Sequence, residues 1–136
     1  PLNPSSGTFT GNPVSMAAGL ATMDALTPGT YQRLEAAGES ARAGLRGAFE
    51  QAGRPGQVTG VGSMFQIHFH DRPLTDYRSA FATSAENAVA KAVHRGMIDR
   101  GFILSPRCSG FLSSVMTEVE ITNLVGAFAD TLRGGD

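Results

Sequence analysis

The sequence predicts an α/β fold of the α+β kind, helices packed on a short, largely antiparallel sheet. Three observations carry that prediction. Two pairings of a cap residue with proline, Asn12-Pro13 and Thr27-Pro28, mark helix starts in the first fifth of the chain. Two capping boxes, Thr83 with Glu86 and Thr117 with Glu120, open later helices. Between them lie short apolar stretches bounded by glycine and proline, which have the length and alternation of strands.

Taken in order, residues 1–12 read as loop, rich in proline, serine and glycine. The helix from Pro13 is lined with the small residues Ala17, Ala18, Gly19 and Ala21, and its larger groups Val14, Met16, Leu20, Met23 and Leu26 point to several faces. A helix apolar on most sides is expected to be buried, here against a missing partner domain or subunit. From Pro28 to about Ala52, Leu34, Ala37, Ala41, Leu45, Ala48 and Phe49 keep a helical beat, and Gly53 with Pro55-Gly56 stops it. Strands are expected at 57–61 and 63–69. In the second, Met64, Gln66, His68 and His70 share one face and Phe65, Ile67 and Phe69 the other.

Asp71-Arg72-Pro73 is a turn and 74–82 an irregular connection. The helix after Thr83 presents Ala85, Ala88, Val89, Ala92, Val93 and Met97 as its apolar face. Brief strands are expected at Phe102–Leu104 and Phe111–Val115, separated by a turn at 106–110. The last helix, after Thr117, turns Ile121, Leu124, Val125, Phe128 and Leu132 inward, and Gly134-Gly135 close it.

Composition bounds the function. The 136 residues are 41% hydrophobic and 17% charged, enough for one domain with its own core. Eleven basic and 12 acidic side chains leave a net charge of -1, which gives no field for nucleic acid or an anionic membrane. A lone Cys108 excludes an intramolecular disulfide and a cysteine-based zinc site. The most apolar stretch, 13–26, is too short for a bilayer and is interrupted by Asp24. With no signal or transit pattern, the expected location is the cytoplasm. A first residue of proline points to a piece of something longer, and 17 glycines to close backbone approaches.

The chemical candidates are few. His68 and His70, beside Asp71, could share a metal, but no third ligand converges, so no metal site is assigned and a polar face near solvent is the expectation. Gly60-Val61-Gly62-Ser63 begins like a dinucleotide fingerprint, but strand follows instead of helix, so a glycine-bent turn is expected. Arg107 beside Cys108 could lower the thiol pKa, yet no histidine is near in sequence and a structural thiol is the reading. Lys91, the only lysine, falls on a solvated helix face. Ser6-Gly7-Thr8-Phe9-Thr10-Gly11-Asn12-Pro13 is a glycine-flexed, hydroxyl-bearing loop emptying into a helix N-terminus, a place suited to a phosphate or carboxylate.

Gly7-Thr8-Phe9-Thr10-Gly11-Asn12-Pro13 followed by Met16-Ala17-Ala18-Gly19 resembles the start of the C-terminal third of class III pyridoxal-phosphate aminotransferases, most of all the glutamate-1-semialdehyde aminomutase branch. The resemblance continues through Gly60-Val61-Gly62-Ser63-Met64-Phe65, Arg100-Gly101-Phe102-Ile103-Leu104-Ser105-Pro106 and Phe111-Leu112-Ser113 to the helix capped by Thr117. It implies the small C-terminal domain of a fold type I enzyme, with 1–26 as phosphate-contact loop and interdomain connecting helix and 27–136 as the small domain proper. It also implies a homodimer in which Thr8, with Gly7 letting the backbone approach, contacts the phosphate of pyridoxal 5'-phosphate held by the neighbouring subunit. The Schiff-base lysine would lie in a large N-terminal domain outside this chain, leaving no catalytic residue within it and the fragment inactive alone. Ser105-Pro106-Arg107 departs from the aminomutase pattern and is similar to β-amino-acid transaminases of the same class, which makes Arg107 the candidate for the carboxylate of a small amino-carboxylate substrate. A competing reading is a free-standing, non-catalytic binding domain that keeps the same fold.

Overall fold

The computed structural model describes Gly7 and residues 9–134. The chain divides into two compact units, residues 1–32 and 33–136, and the division falls just inside the second helix.

In the first unit, helix α1 spans Pro13–Ala25. Asn12 caps it as expected, its side-chain oxygen accepting from the backbone N–H of Val14 at 2.9 Å and of Ser15 at 3.3 Å. None of its residues is buried: Val14, Met16, Leu20 and Met23 are between 65% and 77% exposed. The burial expected for an all-round apolar helix is therefore absent from the described residues. Helix α2, Pro28–Ala52, starts here, its first turn closed by Thr30 N–H on the Thr27 carbonyl.

The second unit holds the rest of α2, strands β1 (Gln57–Thr59) and β2 (Met64–His68), helix α3 (Ser84–Asp99), strand β3 (Ser109–Phe111) and helix α4 (Glu118–Arg133). The sheet has the order β1-β2-β3 and both pairings are antiparallel, with Val58 opposite Ile67 and Phe65 opposite Gly110. One sheet face meets the helices through Val58, Phe65 and Ile67, which pack with Leu45 and Phe49 of α2, Val93 and Met97 of α3, and Leu124 and Phe128 of α4. Phe49 stands edge-on to Phe128 at 5.3 Å and to Phe69 at 5.9 Å, a favoured aromatic geometry at the centre of the core. Both capping boxes form at Thr83–Glu86 and Thr117–Glu120.

Glycine serves close approach, as its abundance predicted. A Cβ on Gly44 would come within 2.6 Å of Val125, and one on Gly96 within 2.6 Å of Thr131, so both mark crossings with α4. The β1–β2 turn uses glycine conformation, with φ of +155° at Gly60 and +58° at Gly62, and it rests on α2 so tightly that a Cβ on Gly38 would overlap the Gly62 carbonyl. Arg42 secures that contact. Its guanidinium, 3% exposed, donates to the carbonyls of Gly62 at 2.8 Å and Met64 at 3.1 Å and pairs with Glu39 and Glu35.

Three expectations are corrected. Phe102–Leu104 has no regular secondary structure and joins no strand pairing among the described residues. The following strand begins at Ser109 rather than Phe111, because a turn closed by Cys108 N–H on the Ser105 carbonyl (2.8 Å) ends there and the ladder to β2 starts at once. On α3 the buried residues are Ala90, Val93 and Met97, while Ala85, Ala88, Val89 and Ala92 are exposed. A helix with so many alanines leaves its apolar face undetermined, and contact with α4 chooses it. Among the described residues no helix is long and apolar enough to cross a membrane.

Two helical glycines give an internal control. Gly38→Ala should cost about 2 kcal/mol or more, since it collides with backbone, whereas Gly47→Ala, with nothing within 4 Å, should stabilise by about 0.5–1 kcal/mol. Arg42→Met should cost about 2–3 kcal/mol by stripping two carbonyls of a charged donor. Urea unfolding of the three variants measures all of these, and equal effects at positions 38 and 47 would contradict the close α2–turn contact.

Candidate functional site

A hollow of about 130 Å³ opens where β2 ends, walled by residues 67–70, the 74–82 connection, the first turns of α3, and Arg107. Its frame is electrostatic. Arg72, just beyond the strand, donates through both terminal nitrogens to the Glu86 carboxylate of α3, with Nη2 to Oε2 at 3.0 Å. The same guanidinium donates to the carbonyls of Ser79 and Phe81, each at 2.9 Å, and so pins the irregular connection. Glu86 also accepts from the Thr83 N–H at 2.8 Å in its capping box. Arg72 first, and the Thr83 amide after it, overcome the cost of burial and hold the Glu86 carboxyl down at about 2.

His70 lies in the hollow's wall and is only 6% exposed, so the expectation of a polar face near solvent fails at this residue. The reason is Gln57 on the neighbouring strand. Its side-chain nitrogen donates to the carbonyls of Arg72 at 2.7 Å and His70 at 3.2 Å, folding the chain after β2 back over the ring. That nitrogen also lies 3.3 Å from His70 Nδ1. Nε2 of the same ring is buried with no hydrogen-bond partner among the described residues. His68 is different: its Nε2 lies 3.0 Å from the Thr59 hydroxyl. Burial, with the charges of His70 and Arg72 adding to it, pushes the His68 pKa down. The two rings are 5.6 Å apart, and no group of three or more metal-ligating side chains forms among the described residues.

The other candidates are distributed as follows. Arg107 is exposed and borders the hollow, with its carbonyl held by Gln66 Nε2 at 2.6 Å and its guanidinium without a partner among the described residues. Cys108 is fully buried at a positive φ of 60° and gives its thiol hydrogen to the Ala90 carbonyl at 3.3 Å. Burial pushes its pKa up to about 11, so the lowering expected from Arg107 does not occur and the thiol is structural. Residues 60–63 form the glycine-bent turn between β1 and β2. Lys91 is exposed on α3.

At the other end of the chain, Gly7, Phe9, Thr10 and Gly11 are exposed, and a Cβ on Gly7 would stand 3.2 Å from the Thr10 hydroxyl. Thr8 lies outside the described residues. The α1 N-terminus is not an open anion site, because Asn12 already takes the amides of Val14 and Ser15. Any anion here would meet loop amides and hydroxyls instead. Sequence reasoning missed Gln57 and the Arg72–Glu86 pair. The pair is 14 residues apart and carries no spacing signal, and Glu86 is already accounted for as a capping residue.

No protein-family model matches the chain. It is 38% identical over 97% of its length to a glutamate-1-semialdehyde 2,1-aminomutase from Sorangium cellulosum, covering 31% of that protein. Among solved structures it matches an omega-transaminase from Sphaerobacter thermophilus with a TM-score of 0.90 and 45% identity, covering 96% of this chain and 30% of that one. It matches a transaminase with bound pyridoxal phosphate at a TM-score of 0.81 and 32% identity, over 97% of this chain and 30% of that one. A β-phenylalanine aminotransferase from Variovorax paradoxus matches at 0.82 and 30%, over 96% and 30%. The chain thus spans about a third of the length of the relatives it resembles.

Two outcomes test the site's electrostatics. Glu86 is more acidic folded than unfolded, so its pairing contributes stability that is full above its ordinary value of 4.5 and is lost as the pH falls to about 2. Glu86→Gln should therefore lower the urea midpoint at neutral pH and flatten its decline between about pH 5 and 2. The buried Cys108 should ignore a disulfide reagent at about pH 8 in the native protein and react at once in the unfolded chain.

Proposed function

We propose, from the premise that this chain belongs with the glutamate-1-semialdehyde-aminomutase-like aminotransferases, that it is the C-terminal portion of a pyridoxal-phosphate enzyme that moves an amino group to or within a small amino-carboxylate substrate. The observation that carries this is the joint match in sequence and fold over nearly the whole chain to named aminomutases and transaminases. Residues 1–26 then serve as phosphate-contact loop and connecting helix, and 27–136 as the small domain. The exposed apolar groups of α1 support that division, since a connecting helix is covered by the rest of its enzyme.

The cofactor supplies the electron sink for amino transfer when bound. This chain's part is to bind and orient. The loop at Gly7 fits a phosphate in kind: it is exposed, bears hydroxyls, and has a glycine where a side chain would crowd Thr10. Gly7 and Thr8 would hold the phosphate of a cofactor seated in the partner subunit of a homodimer. The lysine that carries the cofactor belongs, in this reading, to the two-thirds of the relatives' length that the chain does not match. Lys91 is exposed on the surface of α3 and is unsuited to the task. Arg107, unpaired at the edge of the hollow, would orient the substrate by its carboxylate. The match to a β-phenylalanine aminotransferase supports a β-amino acid as the second substrate reading. A cytoplasmic location is part of the same proposal. The reading as a free-standing binding domain has no comparable support.

In the full-length dimer, Thr8→Ala should weaken pyridoxal-phosphate retention about tenfold, the worth of one charged hydrogen bond, measured by cofactor loss on dialysis. Arg107→Ala should raise KM for the carboxylate substrate by about 10–100-fold and leave cofactor retention unchanged. The 136-residue chain alone should keep no cofactor through gel filtration; stable retention that disappears in Lys91→Ala would overturn the assignment.

A further inference from the structure

We propose that Gln66 is a positioning residue for Arg107: its side-chain amide grips the Arg107 carbonyl and fixes the turn from which the guanidinium is presented at the edge of the hollow. The inference rests on the reading of Arg107 as the substrate-carboxylate ligand and adds the group that sets where that ligand stands.

The Arg107 guanidinium has no partner among the described residues, so its placement comes from its own backbone. That backbone forms a tight turn at the entry to β3. Cys108 N–H closes the turn on the Ser105 carbonyl at 2.8 Å, with Pro106 and Arg107 as its two central residues. The ends are tied together by Ser105 N–H on the Ser109 carbonyl at 2.9 Å and by the two serine hydroxyls, 2.6 Å apart. The Arg107 carbonyl belongs to none of these bonds. Its partner is Gln66 Nε2 on β2, at 2.6 Å. The same nitrogen donates to the Ile67 carbonyl at 2.8 Å, so both of its hydrogens are used and two acceptors define which side-chain atom is the nitrogen.

An irregular entry to the ladder creates this role. Ile67 N–H donates to the Cys108 carbonyl at 3.2 Å, but Cys108 turns its own N–H to Ser105 and takes a φ of 60°, a left-handed conformation uncommon outside glycine. Regular pairing starts only with Gln66 opposite Ser109. On its far side the turn is anchored by the buried Cys108 thiol, bonded to the Ala90 carbonyl of α3 at 3.3 Å. The residue that carries the guanidinium is thus held between α3 and Gln66. A guanidinium grips a carboxylate through two parallel bonds only when its plane is aimed, and a fixed backbone reduces the freedom lost in aiming it. Gln66 bonds backbone alone, so its removal changes where Arg107 stands and leaves the guanidinium itself intact.

The test is a mutant cycle in the full-length dimer with β-phenylalanine as amino donor, joined to amide hydrogen exchange of the segment 105–111. Gln66→Met keeps the reach of the side chain and removes its donor. It should raise KM about fivefold, the worth of one hydrogen bond, with kcat within about twofold. Exchange at Cys108 and Ser109 should quicken about tenfold. Gln66→Asn, whose amide is one methylene short, should behave alike and replaces the first variant should that one fail to fold. In an Arg107→Ala background Gln66→Met should add less than about twofold to KM, because a positioning residue has no effect once the group it positions is gone. Equal increases in both backgrounds overturn the proposal, and so does unchanged exchange in the segment, whatever the substrate. An unchanged KM in Gln66→Met beside a raised KM in Arg107→Ala overturns it while leaving the substrate role of Arg107 intact. An unchanged KM in Arg107→Ala overturns both.

Discussion

The architecture depends on one buried guanidinium. Arg42 on α2 reaches the carbonyls of Gly62 and Met64 and ties the β1–β2 turn to the helix against which Gly38 leaves no room for a side chain. Lifting these carbonyls out of water without a donor would be costly, and a charged donor held by Glu39 and Glu35 meets that need with shared hydrogen bonds. Because the turn is fixed, the register of β2 is fixed, with Phe65 and Ile67 directed into the core and Gln66 and His68 away from it. A one-residue slip would exchange those faces.

A second arginine repeats the device at the far end of the same strand. Arg72 gathers the carboxylate of Glu86 and two loop carbonyls, converting a connection with no regular structure into a wall of defined shape. The two guanidiniums divide the labour by their surroundings. Arg42 is sealed and serves the fold, whereas Arg72 is partly open and frames a hollow. The Arg107 guanidinium, by contrast, is exposed at the edge of that hollow and has no partner among the described residues.

The first unit obeys a different logic. Its helix is well capped and internally bonded yet has no buried residue. Apolar side chains at 65–77% exposure along one helix call for cover, and in the proposed enzyme the remainder of the polypeptide and its partner subunit provide it. The loop before that helix follows the same division: Asn12 takes the amides of Val14 and Ser15, so in the proposed enzyme the glycine-flexed loop would be the part to meet a phosphate.

Local chemistry was legible in advance wherever the determinant is a side chain beside its own backbone. Asn12, Thr83 and Thr117 cap within three residues, Gly53 takes the left-handed φ that ends a helix, and the beat from Leu34 to Phe49 selects the inner face of α2. Of the proposed site, Arg107 stood out as a candidate through its neighbours Ser105 and Pro106, and the loop at Gly7 through its glycines and hydroxyls. Tertiary structure decided the rest. It chose the buried face of alanine-rich α3, moved the last strand to Ser109, raised the Cys108 pKa instead of lowering it, and enclosed His70 beneath Gln57. Apart from the local turn that precedes Ser109, those outcomes depend on residues more than ten positions apart in sequence, whose approach is set by packing and pairing across the fold and leaves no period or spacing in the chain.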